Sequence, residues 1–582
     1  MQRELSIGGT ILTGRRRRRR RNSGRKKWGT LFLFILVAAG AWWIIDKMPN
    51  TRHAEPDWKG VKQPVFVEGV MTGYSADGSG EALMLPLPLI QEYVDPYIHV
   101  EDDTESVILT TPSDVVWLKL NERTGERNGR AMTFKQSVQK ISNEVYIPAG
   151  LLKELYGTAF HQDPDTGAVI LMRAGDLLTL GKAFSKDTDE LIPLRHGPSV
   201  KSPIMEDMSQ GERVRIWGSE EEWYYVQTDS GYTGFIQQER VEPAGDKLIP
   251  TVIHEPSRAD KEWRDKSVNL TWEAVYSRNP DTQSIGKLPG VNVVSPTWFS
   301  IVSEEGKIEN SADAGYVKWA HGQNKEVWGV VTNSFNPDIT TSVLSHYKTR
   351  AALIKDMLAL ADQYDLDGIN IDFENVYTAD KHNLIHFMRE MNPRAREKGL
   401  VTSIDVTPKS NSEMWSAFLD RRELGKAVDY MIVMSYDEHW AASPKAGSVS
   451  SLPWAEGTVR RILEEDDVPP TKLVLGIPLY TRIWTEEGKD GGGKVSSKAV
   501  GMTAIQNLLA DKKLTPEFDE STKQNYVEYQ EDNTLKKIWI EDEVSLEARV
   551  DLARKYKLAG IATWTRSLGA PAAWEVLNHI HQ

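Results

Sequence analysis

The 582-residue chain has no cysteine. Disulfides, thiolate metal sites, iron–sulfur clusters and cysteine nucleophiles are therefore excluded. It also lacks a surplus of positive charge. Acidic side chains number 83 against 70 basic ones, a net charge of −13, which does not describe a basic nucleic-acid-binding protein. Nor is it short of apolar residues: 40% apolar and 26% charged is ordinary globular composition and rules out a wholly disordered chain. The length predicts three to five domains. Among what is present, 19 tryptophans and 19 tyrosines stand out, and flat aromatic faces suit ligands with flat apolar faces, sugars included.

Charge is unevenly placed. Residues 1–27 hold eleven bases, including the run Arg15 to Arg21, against Glu4 alone, so this segment carries +10 and the remainder −23. The uncharged run WGTLFLFILVAAGAWWII follows, from Trp28 to Ile45. As a helix it would be about 27 Å long, close to the ~30 Å hydrocarbon core of a bilayer. Trp28 lies at one end and Trp42 and Trp43 at the other, where aromatic rings favour the interface. The positive-inside rule leaves 1–27 in the cytoplasm and exports the rest, giving a single-pass transmembrane anchor over 28–45. A cleaved signal peptide is the competing reading, because Ala39-Gly40-Ala41 fits a small-residue cleavage pattern. Either way the body of the protein faces outward, toward the cell wall.

Residues 46–63 read as a linker. A weak repeat at an offset of 62 residues follows within 64–175: Pro86 matches Pro148, Leu89 matches Leu151, and Val107-Ile108-Leu109 matches Val169-Ile170-Leu171. Each copy reads as strand, short helix, turn and strand, an α+β stalk domain. The second copy, VYIPAGLLKELYG then AVILM, resembles the domain named after the copper amine oxidase N-terminus. The name implies no copper here, since the segment offers no cluster of His or Met ligands. The short alternating strands of 180–243, among them GERVRIW and WYYVQT, resemble a bacterial Src-homology-3-like β-barrel. The resemblance implies a module that binds wall peptides, with Trp223, Tyr224 and Tyr232 as groove or core aromatics. Residues 244–264 read as a second linker.

From 265 to 582, eight short apolar strands alternate with amphipathic stretches: 268–275, 291–298, 327–332, 368–373, 401–406, 430–436, 473–480 and 559–565. Leu353, Ile354, Met357, Leu358, Ala361 and Tyr364 form one helical stripe. This pattern predicts a (β/α)₈ TIM barrel with an insertion at 485–540, whose function resides at the C-terminal strand ends.

The fourth strand reads DGINIDFE over 367–374. Period-two alternation sends Ile369, Ile371 and Phe373 to the helix layer, and Gly368, Asn370, Asp372 and Glu374 into the barrel. Two carboxylates about 7 Å apart on a buried strand face are costly to fold, so the pattern favours chemistry over packing. The alternative is a carboxylate paired with a buried cation.

DGINIDFE closely matches the DxxDxDxE signature of glycoside hydrolase family 18, the chitinase and endo-N-acetylglucosaminidase family, with Asn370 where many members have aspartate. MSYD at 434–437 resembles the family's sixth-strand motif, GIPLY at 476–480 its seventh, and Trp564 falls at its eighth-strand tryptophan. The third-strand SxGG motif of typical chitinases is missing; VVTNSF (330–335) stands there. YDEHW…SLPW (436–454) and IWIEDEVSLEARVDLARKY (538–556) are more similar to the bacterial branch containing spore-cortex-lytic N-acetylglucosaminidases. The resemblance implies retaining, substrate-assisted cleavage of β-1,4 linkages next to N-acetylglucosamine. It implies Glu374, Asp372 and Tyr436 as catalytic residues, and Asn370, Trp564 and Asp437 as substrate-binding residues; Trp440, with His439, is a further substrate-binding candidate from its place just after the sixth strand. No metal or cofactor is required. Peptidoglycan, including spore cortex, ranks above chitin as substrate because the tether faces the wall. Two other readings stay open: a non-catalytic glycan-binding barrel, which Asn370 allows, and a structural envelope or sporulation scaffold. His382 and His386, in HNLIH, lack the glutamate of the zinc-protease pattern and read as surface-helix histidines.

Overall fold

The computed structural model describes residues 24–582 except 255–257, 259–261, 264–265 and 488–493. The first 23 residues of the basic segment thus lie outside the described residues. Gly24–Lys47 is a helix. Phe32 to Val37, Trp42 and Trp43 are exposed along it, with no core to cover them. Among the described residues no helix is long and apolar enough to cross a membrane. The expected span over 28–45 thus falls within a helix, and a membrane crossing by it finds no support among the described residues.

Two compact units follow. In the first, residues 64–74, 160–172 and 176–249 form two sheets. Pro64–Val67 runs parallel to Val169–Met172, with Val65 opposite Val169. The other sheet is a seven-stranded antiparallel small barrel from Leu177 to Leu248, closed around Ile192, Leu194, Val214, Val226 and Ile236. Trp223 is buried, and Tyr224 and Tyr232 pack against this core. The expected aromatic groove is thus mostly core. A cavity of about 260 Å³ opens elsewhere in the unit, between Glu68, Asp176, Leu177, Leu178 and Trp217.

In the second unit the repeat becomes tangible. Met84–Pro86 leads into the helix Leu87–Tyr93, and Glu144–Pro148 leads into Ala149–Tyr156. These equivalent strands pair antiparallel, with Ile147 opposite Leu85. A five-stranded meander from His99 to Thr133 completes this part. It packs on the barrel, where Ile108 and Val115 meet Tyr347. Buried Arg350 bonds Glu390 at 2.8 Å and Glu101 at 3.2 Å. His386 packs its ring 3.9 Å from His99 and 5.9 Å from Tyr97. The sequence placed it on a free helix surface; in the fold it is half covered by the meander's first strand.

Eight parallel strands then close into a barrel: β1 (Val268–Glu273), β2 (Val293–Ile301), β3 (Glu326–Thr332), β4 (Gly368–Asp372), β5 (Val401–Val406), β6 (Tyr430–Val433), β7 (Leu473–Pro478) and β8 (Gly560–Trp564). Closure is explicit, because β1 pairs in parallel with both β2 and β8. The helices outside include α1 (Ala314–Gly322), α2 (Pro337–Leu344), α3 (Tyr347–Tyr364), α4 (Lys381–Glu397), α5 (Arg421–Ala427), α6 (Leu452–Glu465), α7 (Glu543–Lys555) and α8 (Pro571–Leu577). Side-chain caps start several of them: Asp313 for α1, Asn336 for α2 and Asp542, in a capping box with Ser545, for α7. Leu353, Ile354, Met357, Leu358 and Ala361 of α3 are buried, as their spacing predicts. Between β7 and β8 the insertion is a five-stranded antiparallel sheet of strands from Tyr480 to Ile540, with the helix Met502–Lys512.

Two apolar layers result. The outer one joins strands to helices; the inner one, with Leu270, Trp272, Val293, Trp328, Tyr430, Ile432 and Val474, fills the barrel. Gly368 is required at the base of β4, because a Cβ there would lie 2.7 Å from the Trp328 ring. That ring stacks on Tyr430 at 5.7 Å, plugging the barrel beneath the polar residues of β4.

Candidate active site

β4 divides its side chains by face. Ile369, Ile371 and Phe373 join the outer core, and Phe373 stacks on Phe387 of α4 at 5.7 Å. Asn370 enters the barrel, where Trp272 Nε1 donates to its Oδ1 at 2.9 Å. Its Nδ2 donates to Asp405 Oδ1 of β5 at 2.8 Å. Asp372 lies one step nearer the C-terminal end of the strand, buried, and its Oδ1 meets no hydrogen-bond donor. Burial pushes its carboxyl up to about 7.

Glu374 follows the strand and is half-buried. Its backbone is clamped by Asn333, from the turn after β3. Asn333 Nδ2 donates to the Glu374 carbonyl at 2.7 Å, and the Glu374 N–H donates to Asn333 Oδ1 at 3.1 Å. Asn333 is in turn held by Thr340 Oγ1 of α2 at 2.8 Å. Burial, then the Asp372 charge, then the Asp437 charge push the Glu374 carboxyl up to about 8. Among the described residues, no Lys, Arg or His forms an ion pair with Asp372, Glu374 or Asp405. The alternative of a carboxylate locked against a buried cation does not apply here. It does apply to Glu273 at the end of β1, whose carboxylate Arg566 grips at 3.0 Å.

Tyr436 follows β6, packs against the inner core and lies 6.4 Å from the Tyr480 ring. Burial and the neighbouring Asp405 hold its hydroxyl well above the usual phenol range, so it is a hydrogen-bond donor at any physiological pH. Asp437 stands beside it in a left-handed backbone conformation (φ 60°). Its Oδ1 accepts from Tyr480 Oη at 2.7 Å and Arg482 Nη2 at 2.9 Å. Trp564 ends β8, its ring 5.9 Å from that of Trp272. The fold thus gathers Asn370, Asp372, Glu374, Tyr436, Asp437 and Trp564 at the C-terminal strand ends. Trp440 is the outlier, 54% exposed in the loop after β6.

Sequence reasoning passed over Asp405, Asn333, Tyr480 and Arg482. Asp405 carried a usable signal: in VTSIDV, Ile404 and Val406 join the outer core while Val401 lies in the inner one, so period two places Asp405 inside. Asn333 carried none, because a turn residue has no periodicity. Among the described residues, one group of side chains is close enough to hold a metal, Glu101, Asp103 and His346, with ligand atoms within 4.8 Å of one another. The barrel carboxylates form no such group.

The C-terminal end of the closed parallel barrel thus carries carboxyls that meet no cation among the described residues. Residues 334–569 match the model of the glycosyl hydrolases family 18, and the barrel is a family 18 glycosidase domain. Residues 190–242 match the bacterial SH3 domain, and residues 77–171 the copper amine oxidase N-terminal domain. Similar proteins include an uncharacterized glycosylase, YvbX, of Bacillus subtilis, 25% identical over 300 residues that cover 50% of this chain and 84% of that one. A cortical fragment-lytic enzyme of Bacillus anthracis is 26% identical over 258 residues, 43% of this chain and 58% of that enzyme. The crystal structure of the spore cortex-lytic enzyme SleL of Bacillus megaterium aligns with a TM-score of 0.49 at 20% identity, covering 59% of this chain and 78% of that one.

Proposed function

We propose that the barrel cleaves β-1,4 linkages next to N-acetylglucosamine with retention, the substrate's own acetamide serving as nucleophile. The observation that carries this reading is the Glu374 carboxyl, pushed up to about 8 beside Asp372 with no cation to discharge it. A carboxyl that keeps its proton at neutral pH is the general acid the reaction needs. Glu374 gives that proton to the glycosidic oxygen as the bond to the leaving sugar breaks. The acetamide oxygen forms the new bond to the anomeric carbon from the opposite face. Asp372, ionised, accepts the acetamide N–H and balances the charge of the oxazolinium ion. The Tyr436 hydroxyl donates to the acetamide oxygen and aims it. Glu374, now a carboxylate, takes a proton from water as the water oxygen bonds the anomeric carbon and the bond from that carbon to the acetamide oxygen breaks, which restores the acid, the acetamide and the original configuration. Trp564 supplies an apolar floor under the sugar, and Asn370, Asp437 and Trp440 complete the binding surface.

Peptidoglycan, spore cortex included, is the favoured polymer, ahead of chitin. The printed name of the cortical fragment-lytic relative supports this choice, as does the order of basic segment and apolar run at the N-terminus, which we infer tethers the chain with its barrel facing the wall. Wall-peptide binding by 180–243 belongs to the same reading, with Trp217 beside the cavity of the small barrel as the place to test.

The decisive experiment digests purified cell wall, cortex and chitin oligomers with wild type and Glu374→Gln, and follows reducing ends and product masses. Wild type should release fragments and the variant should bind without cleaving. Equal release by the two proteins on every polymer would sink the proposal.

A further inference from the structure

The orientation of Asn370 is set by chemistry. The Trp272 indole N–H cannot accept a hydrogen bond, so it must address the amide oxygen, which it does at 2.9 Å. The amide nitrogen is thereby turned toward β5, where it donates to Asp405 Oδ1 at 2.8 Å. Asp405 is 3% exposed. The ionisable groups that face it are Asp372 and Glu374 from β4 and Tyr436 from the end of β6. None of them brings a positive charge. Two carboxyls buried in one cavity without a cation resist joint ionisation and titrate as a pair. The register of β4 on β5, with Ile371 opposite Ile404, brings Asp405 alongside Asp372, and Asn370, on Asp372's own strand, cannot carry a proton because it is an amide.

We propose that Asp405 is the proton-holding partner of Asp372, kept in place by the Asn370 amide. The inference rests on the proposed function of the same site. In the resting site the two carboxyls hold one proton between them. When Asp372 turns to the acetamide N–H, that proton stays behind: the O–H bond on Asp372 breaks, one forms on Asp405, and Asp372 is left ionised. Asp405 touches neither substrate nor reacting atoms, so it is a positioning residue. The state of its carboxyl fits this role, because burial and the Asp372 charge hold it well above the usual carboxylate range. Asp372 Oδ1, buried without a donor, is the atom from which the shared proton would be read.

The test compares full-length wild type, Asp405→Asn and the double variant Asn370→Asp/Asp405→Asn on a chromogenic chito-oligosaccharide. Asp405→Asn keeps an acceptor for the Asn370 amide but cannot hold a proton. Its acid limb of kcat/KM should move up by about one pH unit, the scale on which coupled sites separate, while the basic limb, set by Glu374, stays. The double variant returns a carboxyl to β4 and should bring the acid limb back. A structural role for Asp405 would change the height of the profile and not its limbs. Superimposed acid limbs for wild type and Asp405→Asn overturn the proposal, and so does a double variant no different from Asp405→Asn. If Asp405→Asn does not fold, the double variant decides alone: a wild-type limb supports the proposal, an upshifted one overturns it. Infrared titration of the protonated-carboxyl band separates this idea from the reading beneath it, since it needs no substrate. A titration of that band displaced to higher pH in Asp405→Asn supports the shared proton even if the probe is never cleaved, and an unchanged titration overturns it.

Discussion

Replacing Glu374 by Gln should stabilise the barrel at alkaline pH and leave it unaffected in acid. In the folded protein the Glu374 carboxyl holds its proton up to about 8, against 4.5 for the same group in an unfolded chain. Between those values the folded state binds a proton that the unfolded state has released. Stability contributed by this group is therefore full below pH 4.5 and is lost as pH rises through 8. At about 1.4 kcal/mol per unit, the loss over this interval is on the order of 5 kcal/mol at most, complete by pH 9. Gln keeps the shape and removes the titration. Full-length wild type and Glu374→Gln should unfold at the same urea concentration near pH 4 and diverge progressively between about pH 4.5 and 8, with the variant the more stable. Intrinsic tryptophan fluorescence is a suitable probe, because Trp272, Trp298 and Trp328 are buried in the barrel. Parallel stability-versus-pH curves for the two proteins would refute the claim that Glu374 is protonated at neutral pH, and the acid role would fall with it.

Two other perturbations read different parts of the structure. Asp437→Asn removes a charge that raises Glu374 and leaves Arg482 uncompensated nearby. The basic limb of kcat/KM should move to lower pH by about one unit, the scale of one close charge in a buried site, and an unmoved limb would show that the Asp437 charge does not reach Glu374. Arg350→Ala leaves the buried Glu390 and Glu101 carboxylates without their cation. Calorimetry should show a loss of about 3–5 kcal/mol, and a loss under 1 kcal/mol would mean that water reaches this contact.

The barrel was legible because its strands are buried on both faces and read as short apolar runs, and because α3 shows its stripe directly. The same alternation that exposed Asp372 on β4 also applies to β5, where Asp405 went unremarked among apolar neighbours. Other features could not be read at all. Arg350 looks like an ordinary helix charge until the meander from His99 to Thr133 covers it, and His386 like a surface residue until His99 stacks against it. Both depend on contacts across more than 200 residues of sequence, for which no local pattern exists. The apolar run at 28–45 was legible as a helix from its composition, and a helix spans Gly24–Lys47.

How the fold treats its other buried carboxylates gives the site its meaning. Glu273 faces Arg566, Glu390 faces Arg350, Glu541 faces Arg549 at 3.0 Å, and Asp95 faces Arg389. Asp429 is capped by the Thr402 N–H and hydroxyl at 2.9 and 3.1 Å and feels the charges of Arg396 and Lys472. Each is discharged or hydrogen-bonded, as burial of a charge demands. Asp372 departs from this rule, because its Oδ1 meets no donor among the described residues, whereas Asp405 accepts the Asn370 amide but forms no ion pair among them. A barrel that pairs its structural acids this consistently would gain stability from an arginine or an apolar residue at position 372. Leaving the carboxyl without a cation costs folding energy and favours its protonated form beside Glu374, an arrangement that packing alone does not call for.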